Sequence, residues 1–141
     1  MKDAPCVCSR LRRATRALTR LYDEALAPAG LRVTQFSVLR TLERAGHALS
    51  ISDLAAEIAL DRSTMGRNLD ILLRLGLVEL EPGKDDRRVS TVAPTEQGRA
   101  AIVRAMPHWR KAQGEVRRVF GAARVDRLIG QIDDLARRAS P

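Results

Sequence analysis

Residues 50–98 read SISDLAAEIALDRSTMGRNLDILLRLGLVELEPGKDDRRVSTVAPTEQG, and the spacing of their apolar side chains changes along the way. Leu54, Ala55 and Ile58 recur at helical spacing, in a segment that Ser50 or Ser52 can cap. Leu60 and Asp61 make a turn. Asp61 or Ser63 can cap a second amphipathic helix running to about Leu75, with Gly76 as its stop. Leu77 to Glu81 and Val89 to Ala93 read as strands around a charged loop, PGKDDRR, at 82–88. Two short helices followed by a β-hairpin predict a winged helix-turn-helix, mainly α with a small β-hairpin wing. Such a module lays one helix in the DNA major groove with a basic loop beside it.

On the second of these helices Met65, Leu69 and Leu72 fall at i, i+4 and i+7 and face a core. Ser63, Thr64, Arg67, Asn68 and Arg74 fall on the opposite side, with Arg62 at the start. Short hydroxyls let a helix approach base edges closely. An Arg one turn later suits guanine and an Asn suits adenine, each worth roughly 1–3 kcal/mol of discrimination. The helix N-terminus also suits a phosphate.

Outward from this centre, residues 9–27 carry Leu11, Ala14, Leu18, Leu21, Tyr22, Ala25 and Leu26 at helical spacing, ended by Pro28 and Gly30. Thr34 is the expected N-cap of the next helix, with Phe36, Val38, Leu39 and Leu42 inward and Gly46 as its stop. Thr95 and Glu96 open a long helix to about Phe120, which Pro107 should bend. The last helix, about Arg124 to Arg138, aligns Val125, Leu128, Ile129, Ile132 and Leu135. The chain thus reads as a single domain over residues 1–141. Residues 34–98 form the DNA-binding part, and 1–30 and 99–141 form a helical part whose apolar stripes a winged module cannot cover. A second copy of the chain is the economical cover, and a two-fold dimer reads palindromes with half-sites roughly 34–36 Å apart.

The net charge of +8 favours a polyanionic partner. Its distribution tempers that argument, because residues 62–98 hold six basic and six acidic groups. The surplus lies in residues 1–20 and 99–141. No apolar run approaches the length of a membrane span, and the N-terminus lacks the apolar core of a signal peptide, so a cytoplasmic address without membrane contact is expected. His47 and His108 lie far apart, without ligand-like spacing, and no glycine-rich phosphate loop is present. No catalytic residue, cofactor or metal is therefore expected, and an enzyme is not the reading.

The chain resembles the MarR family of winged-helix repressors over essentially its full length. The resemblance rests on LAAEIALDRSTMGRNLDILLRLGLVE at 54–79, on PAGLRVTQFSVL at 28–39, and on a wing signature. That signature is Asp-x-Arg, five residues, Leu-Thr, two residues and Gly. It corresponds here to Asp86-Arg87-Arg88, Val89 to Ala93, and Pro94-Thr95-Glu96-Gln97-Gly98. Pro94 departs from the usual Leu, which a proline opening the next helix should tolerate. The resemblance implies a dimeric MarR-like architecture, a pseudo-palindromic double-stranded DNA operator, and a repressor more readily than an activator. It also implies that Arg88 enters the minor groove while Asp86 orients it and holds the turn. A narrow A·T-rich groove concentrates negative potential and attracts such an arginine. Arg87 and Lys84 read as phosphate contacts, which position without specifying.

The same resemblance implies release by a small aromatic or phenolic ligand, for which Phe36, Tyr22, His108 and Trp109 sit on suitable helices, though plain packing is the favoured role for each because the core must use the chain's four aromatic residues. Cys6 and Cys8 are the only cysteines. Cys8 lies 27 residues before Gln35, a spacing similar to the sensing cysteine of the family's organic-hydroperoxide branch. Tyr22 matches one of the tyrosines that hold that sulfur from the partner subunit, and Val33 stands where the other would be. Tyr22 is ~21 Å from Cys8 along a helix, so any contact must cross a dimer. Arg10, Arg12 and Arg13 surround the thiol in sequence. The alternatives are a thiol-based redox sensor acting through Cys8, or a dimeric interaction module that keeps the winged fold without binding DNA.

Overall fold

The computed structural model describes residues 4–141. Helix α1 (Val7–Leu26) runs into a 3-10 turn at Ala27–Ala29, and Gly30 closes it in the left-handed conformation (φ 74°). Pro28 lies inside that turn, so the chain reverses two residues later than a simple proline stop. Helix α2 (Val33–Ala45) follows. Thr34 does not cap it: Arg32 holds that position. The Val33 amide donates to Asp23 Oδ1 at 2.8 Å and the Arg32 amide to Gln35 Oε1 at 3.0 Å. With those orphan donors satisfied from α1 and from the helix's own first turn, the Thr34 hydroxyl is released for another partner.

A two-residue strand, β1 (Leu49–Ser50), is too short to show alternation and was not expected from sequence. In α3 (Ile51–Ile58) the Ser50 Oγ accepts from the Asp53 amide at 3.0 Å, which selects Ser50 over Ser52 as the cap. The turn that follows places Ala59 at φ 57°, a left-handed position taken without glycine. Helix α4 (Arg62–Arg74) is capped by Asp61, whose Oδ1 accepts from the Thr64 amide at 3.0 Å.

Strands β2 (Val78–Pro82) and β3 (Ser90–Pro94) lie one residue later than expected. They pair antiparallel from Val78 with Pro94 to Pro82 with Ser90, and β1 joins the other edge of β3 through Leu49 and Val92. Pro94 thus ends β3 instead of opening the next helix. That position suits a residue without an N–H, because the ladder stops there. Thr95 caps α5 (Glu96–Phe120), its Oγ1 accepting from the Gly98 amide at 3.0 Å. Helix α5 continues past Pro107, and Gly121 (φ 98°) turns the chain into α6 (Ala122–Ala139). A bidentate pair, Arg117 with Asp126 at 2.8 and 3.1 Å, spans that corner and holds the Asp126 carboxyl below the usual carboxylate range.

The core gathers Leu39 and Leu42 of α2, Leu54 of α3, Met65 and Leu72 of α4, Val92 of β3 and Ile102 of α5, all essentially inaccessible. Each buried leucine stabilises the fold by roughly 1.5–3 kcal/mol. That core fixes the sheet beneath α3 and α4 and sets where their outer faces point. Helix α6 behaves differently. Only Val125 is buried, while Leu128, Ile129, Ile132 and Leu135 remain 38–46% exposed. No helix among the described residues is long and apolar enough to cross a membrane.

Candidate nucleic-acid interface

The polar face of α4 starts at its cap. The Asp61 carboxylate accepts from the Thr64 amide and from the Ser63 hydroxyl, at 3.0 and 3.1 Å. Those hydrogen bonds, that with Thr64 foremost, hold its pKa below the ordinary aspartate value. Because the folded pKa is depressed, the cap strengthens the fold above the ordinary aspartate range and fades as acid protonates it. Arg62, Ser63 and Arg67 are exposed on the outer face and Thr64 is half-buried. Arg67 Nη2 donates to the Thr64 hydroxyl at 3.2 Å, which lays the guanidinium along the helix surface. Arg74, one helix end away, donates to the Asp70 carbonyl at 3.4 Å.

Asn68 is placed differently from its neighbours. It is half-buried, with Nδ2 donating to the Thr64 carbonyl at 2.9 Å and Oδ1 accepting from the Thr34 hydroxyl at 3.1 Å. The sequence signal for this contact was weak, since nothing in local spacing relates residues 34 positions apart.

The wing is built on one glycine. The Gly83 amide donates to the Val89 carbonyl at 2.7 Å, and the Val89 amide to the Asp86 carbonyl at 3.1 Å. A Cβ on Gly83 would lie 2.5 Å from the Asp86 oxygen, so the turn admits no side chain there. Asp86 Oδ1 accepts from both the Arg88 amide (3.0 Å) and Arg88 Nε (3.2 Å). The Arg88 side chain nevertheless stays 91% exposed. A carboxylate that grips Nε and the main chain leaves the two terminal nitrogens of the guanidinium pointing outward. Lys84 and Arg87 are exposed on the same loop.

Thr95 and Gly98 of the wing signature have structural duties. The Thr95 hydroxyl donates to the Gly76 carbonyl at 2.6 Å while accepting from the Gly98 amide, and the Thr95 amide donates to the Leu77 carbonyl at 3.1 Å. These bonds tie the start of α5 to the end of α4, and so fix where the hairpin leaves the body.

Phe36 is buried and stacks on Trp109, ring centroids 6.1 Å apart at 30°. The two rings line an open groove of about 340 Å³ with Arg40, Arg44, Glu57 and Ile58. His108, half-buried on α5, does not line it. The Tyr22 hydroxyl donates to Gln113 Oε1, joining α1 to α5, and burial raises its pKa. Cys6 and Cys8 are free and exposed, Cys6 at the cap position of α1 and Cys8 within 3.6 Å of Arg12 Nη2. Within one protomer Tyr22 and Cys8 are not brought together. Among the described residues, no group of three or more His, Cys, Asp or Glu side chains could hold a metal.

Three kinds of comparison agree with this architecture. The model of the MarR family matches residues 29–89. The transcriptional regulator PecS of Dickeya dadantii is 29% identical over 102 residues, which span 71% of this chain and 61% of PecS. The M. tuberculosis transcriptional regulator MosR, solved in complex with DNA, is 39% identical, with 97% of this chain and all of that one covered at a TM-score of 0.81. CouR of Rhodococcus jostii, solved with p-coumaroyl-CoA, is 28% identical over 89% of this chain and 88% of its own, at a TM-score of 0.76. A capped polar helix beside a glycine-closed basic wing, joined to near-complete overlap with a regulator of 39% identity, leaves one assignment: this chain belongs to the MarR family of transcriptional regulators.

Proposed function

We propose that this protein is a homodimeric, cytoplasmic regulator that binds a pseudo-palindromic double-stranded operator, acts as a repressor, and is released by a small-molecule or oxidant signal. The observation that carries DNA binding is the wing tip. Asp86 holds the Arg88 backbone and Nε, yet the guanidinium is left 91% exposed with its terminal donors free to enter a groove. MosR, a relative over the whole chain, was solved with DNA, which supports the same reading. Local net charge does not drive it, since residues 62–98 hold as many acidic as basic groups, so the placement of individual contacts carries the reading.

A selected operator tests this directly. Arg88→Ala is expected to weaken binding about 5- to 150-fold, the span of roughly 1–3 kcal/mol, with the loss concentrated where A·T-rich flanks are present. Lys84→Ala and Arg87→Ala should instead weaken binding to every sequence alike and flatten the salt dependence. Titrations of fluorescent duplexes at several salt concentrations separate the two patterns. Parental binding by Arg88→Ala removes the wing from the interface.

For the signal, a second reading rests on Cys8, whose exposed sulfur lies beside the Arg12 guanidinium. A thiolate is the form of cysteine that attacks a hydroperoxide. That sulfur would take the distal oxygen as the O–O bond breaks, leaving a sulfenic acid and an alcohol. Organic hydroperoxide is then expected to release the parent and Cys6→Ser from the operator but not Cys8→Ser. Release that persists in Cys8→Ser sends the search to the Phe36–Trp109 groove and to aromatic ligands.

A further inference from the structure

We infer that Asn68 is a positioning residue, which with Thr34 sets the pitch of α4 against α2, and that it does not itself read a base. The inference rests on the DNA-binding reading above and deepens it by dividing the α4 face into contacting and positioning residues.

The partners of the Asn68 side-chain amide fix its orientation. The Thr64 carbonyl can only accept, so the group facing it at 2.9 Å must be the Asn68 NH₂. That fixes the amide's orientation and leaves Oδ1 toward Thr34, whose hydroxyl donates to it at 3.1 Å. A base-reading Asn must present one donor and one acceptor side by side to adenine N7 and N6. Here the donor end is turned back onto the helix's own previous turn and the acceptor end onto a neighbouring helix. The half-buried state of both Asn68 and Thr34 agrees with an inward-facing link, whereas Arg62, Ser63 and Arg67 of the same helix are exposed.

The link has mechanical meaning because of where it sits. Thr34 lies in the first turn of α2, whose cap is supplied by Asp23 and Gln35, so its hydroxyl has no capping duty. Asn68 follows Arg67 and stands one turn past Thr64, the residue whose hydroxyl holds the Arg67 guanidinium. Apolar burial of Met65, Leu69 and Leu72 keeps α4 on the core but is itself non-directional. A directional hydrogen bond to α2 fixes the azimuth of Ser63, Thr64 and Arg67 together.

The test measures affinity for the operator selected with the parent and for a panel with single base-pair changes. It is run at a temperature where circular dichroism shows every variant fully folded. Asn68→Ala and Thr34→Val are each expected to raise Kd about 3- to 10-fold, the scale of one lost hydrogen bond. The preference order across the panel should be unchanged. The double variant should be no weaker than either single one, and Thr34→Ser, which keeps the hydroxyl, should bind like the parent. A loss confined to duplexes altered at one base pair, with Thr34→Val unaffected, makes Asn68 a direct reader and overturns the inference. So does parental affinity in both single variants, even if their melting temperatures fall. If the parent selects no operator, the DNA-binding reading itself fails and takes this inference with it.

Discussion

Ile132→Asp is expected to split the protein into folded monomers and to lower operator affinity by more than two orders of magnitude. Ile132 lies in the row Leu128, Ile129, Ile132 and Leu135 of α6, each 38–46% exposed in a single chain. Leu18 of α1 and Val119 and Phe120 at the α5–α6 corner are likewise exposed. A row of exposed apolar side chains along one helix face is unusual on a lone subunit and fits the cover a second copy provides. A two-fold interface uses the same patch on both subunits, so one substitution acts twice. A carboxylate placed in such an interface costs about 2 kcal/mol per copy, and hence about 4 kcal/mol per dimer, near a thousandfold in dissociation constant. Half-sites then bind singly, and the gain from simultaneous attachment disappears. Sedimentation equilibrium reads the dissociation and duplex titration the affinity. A variant that stays dimeric and binds as the parent does would exclude this face of α6 from the interface.

Gly98→Ala is expected to destabilise the fold by about 3 kcal/mol, against the usual rule that alanine improves a helix. A Cβ there would sit 2.0 Å from the Leu77 carbonyl oxygen and 3.0 Å from its carbon. The carbonyl cannot easily retreat, because it accepts the Thr95 amide at the start of α5. Relief requires moving α5 away from the end of α4, which also displaces the wing. Gly66→Ala is the matched control, being helical with nothing within 4 Å of the added carbon, and should be neutral or slightly stabilising. Thermal melts at one protein concentration compare them. An unchanged midpoint in Gly98→Ala would show that this junction yields readily and that the glycine is not required by contact.

The wing signature shows how motif and mechanism divide. Its Asp86 and Arg88 point to an interface, whereas Thr95 and Gly98 hold together the junction from which the wing projects. A pattern in sequence records both without distinguishing them. The distinction lies in which atoms face water. Similarly, Ser63, Thr64, Arg67 and Asn68 share one arc of α4, yet Asn68 is turned to α2 by a partner 34 residues away.

Period alone determined a great deal: the helices, the hairpin, the inward Met65, Leu69 and Leu72, and the glycine stops at positions 30, 46 and 76 all follow from local spacing and backbone preference. Local rules were less able to choose among neighbouring caps or to see β1, because a cap is decided by the one oxygen that reaches an amide and two residues carry no period. Only the folded arrangement revealed that Asp23 and Gln35 cap α2 and thereby free Thr34 for Asn68. Whereas the uncovered apolar row of α6 was already legible in its spacing, that arrangement also showed that Pro94 ends a strand. These depend on contacts distant in sequence, whose energies arise only once the core has brought the elements together.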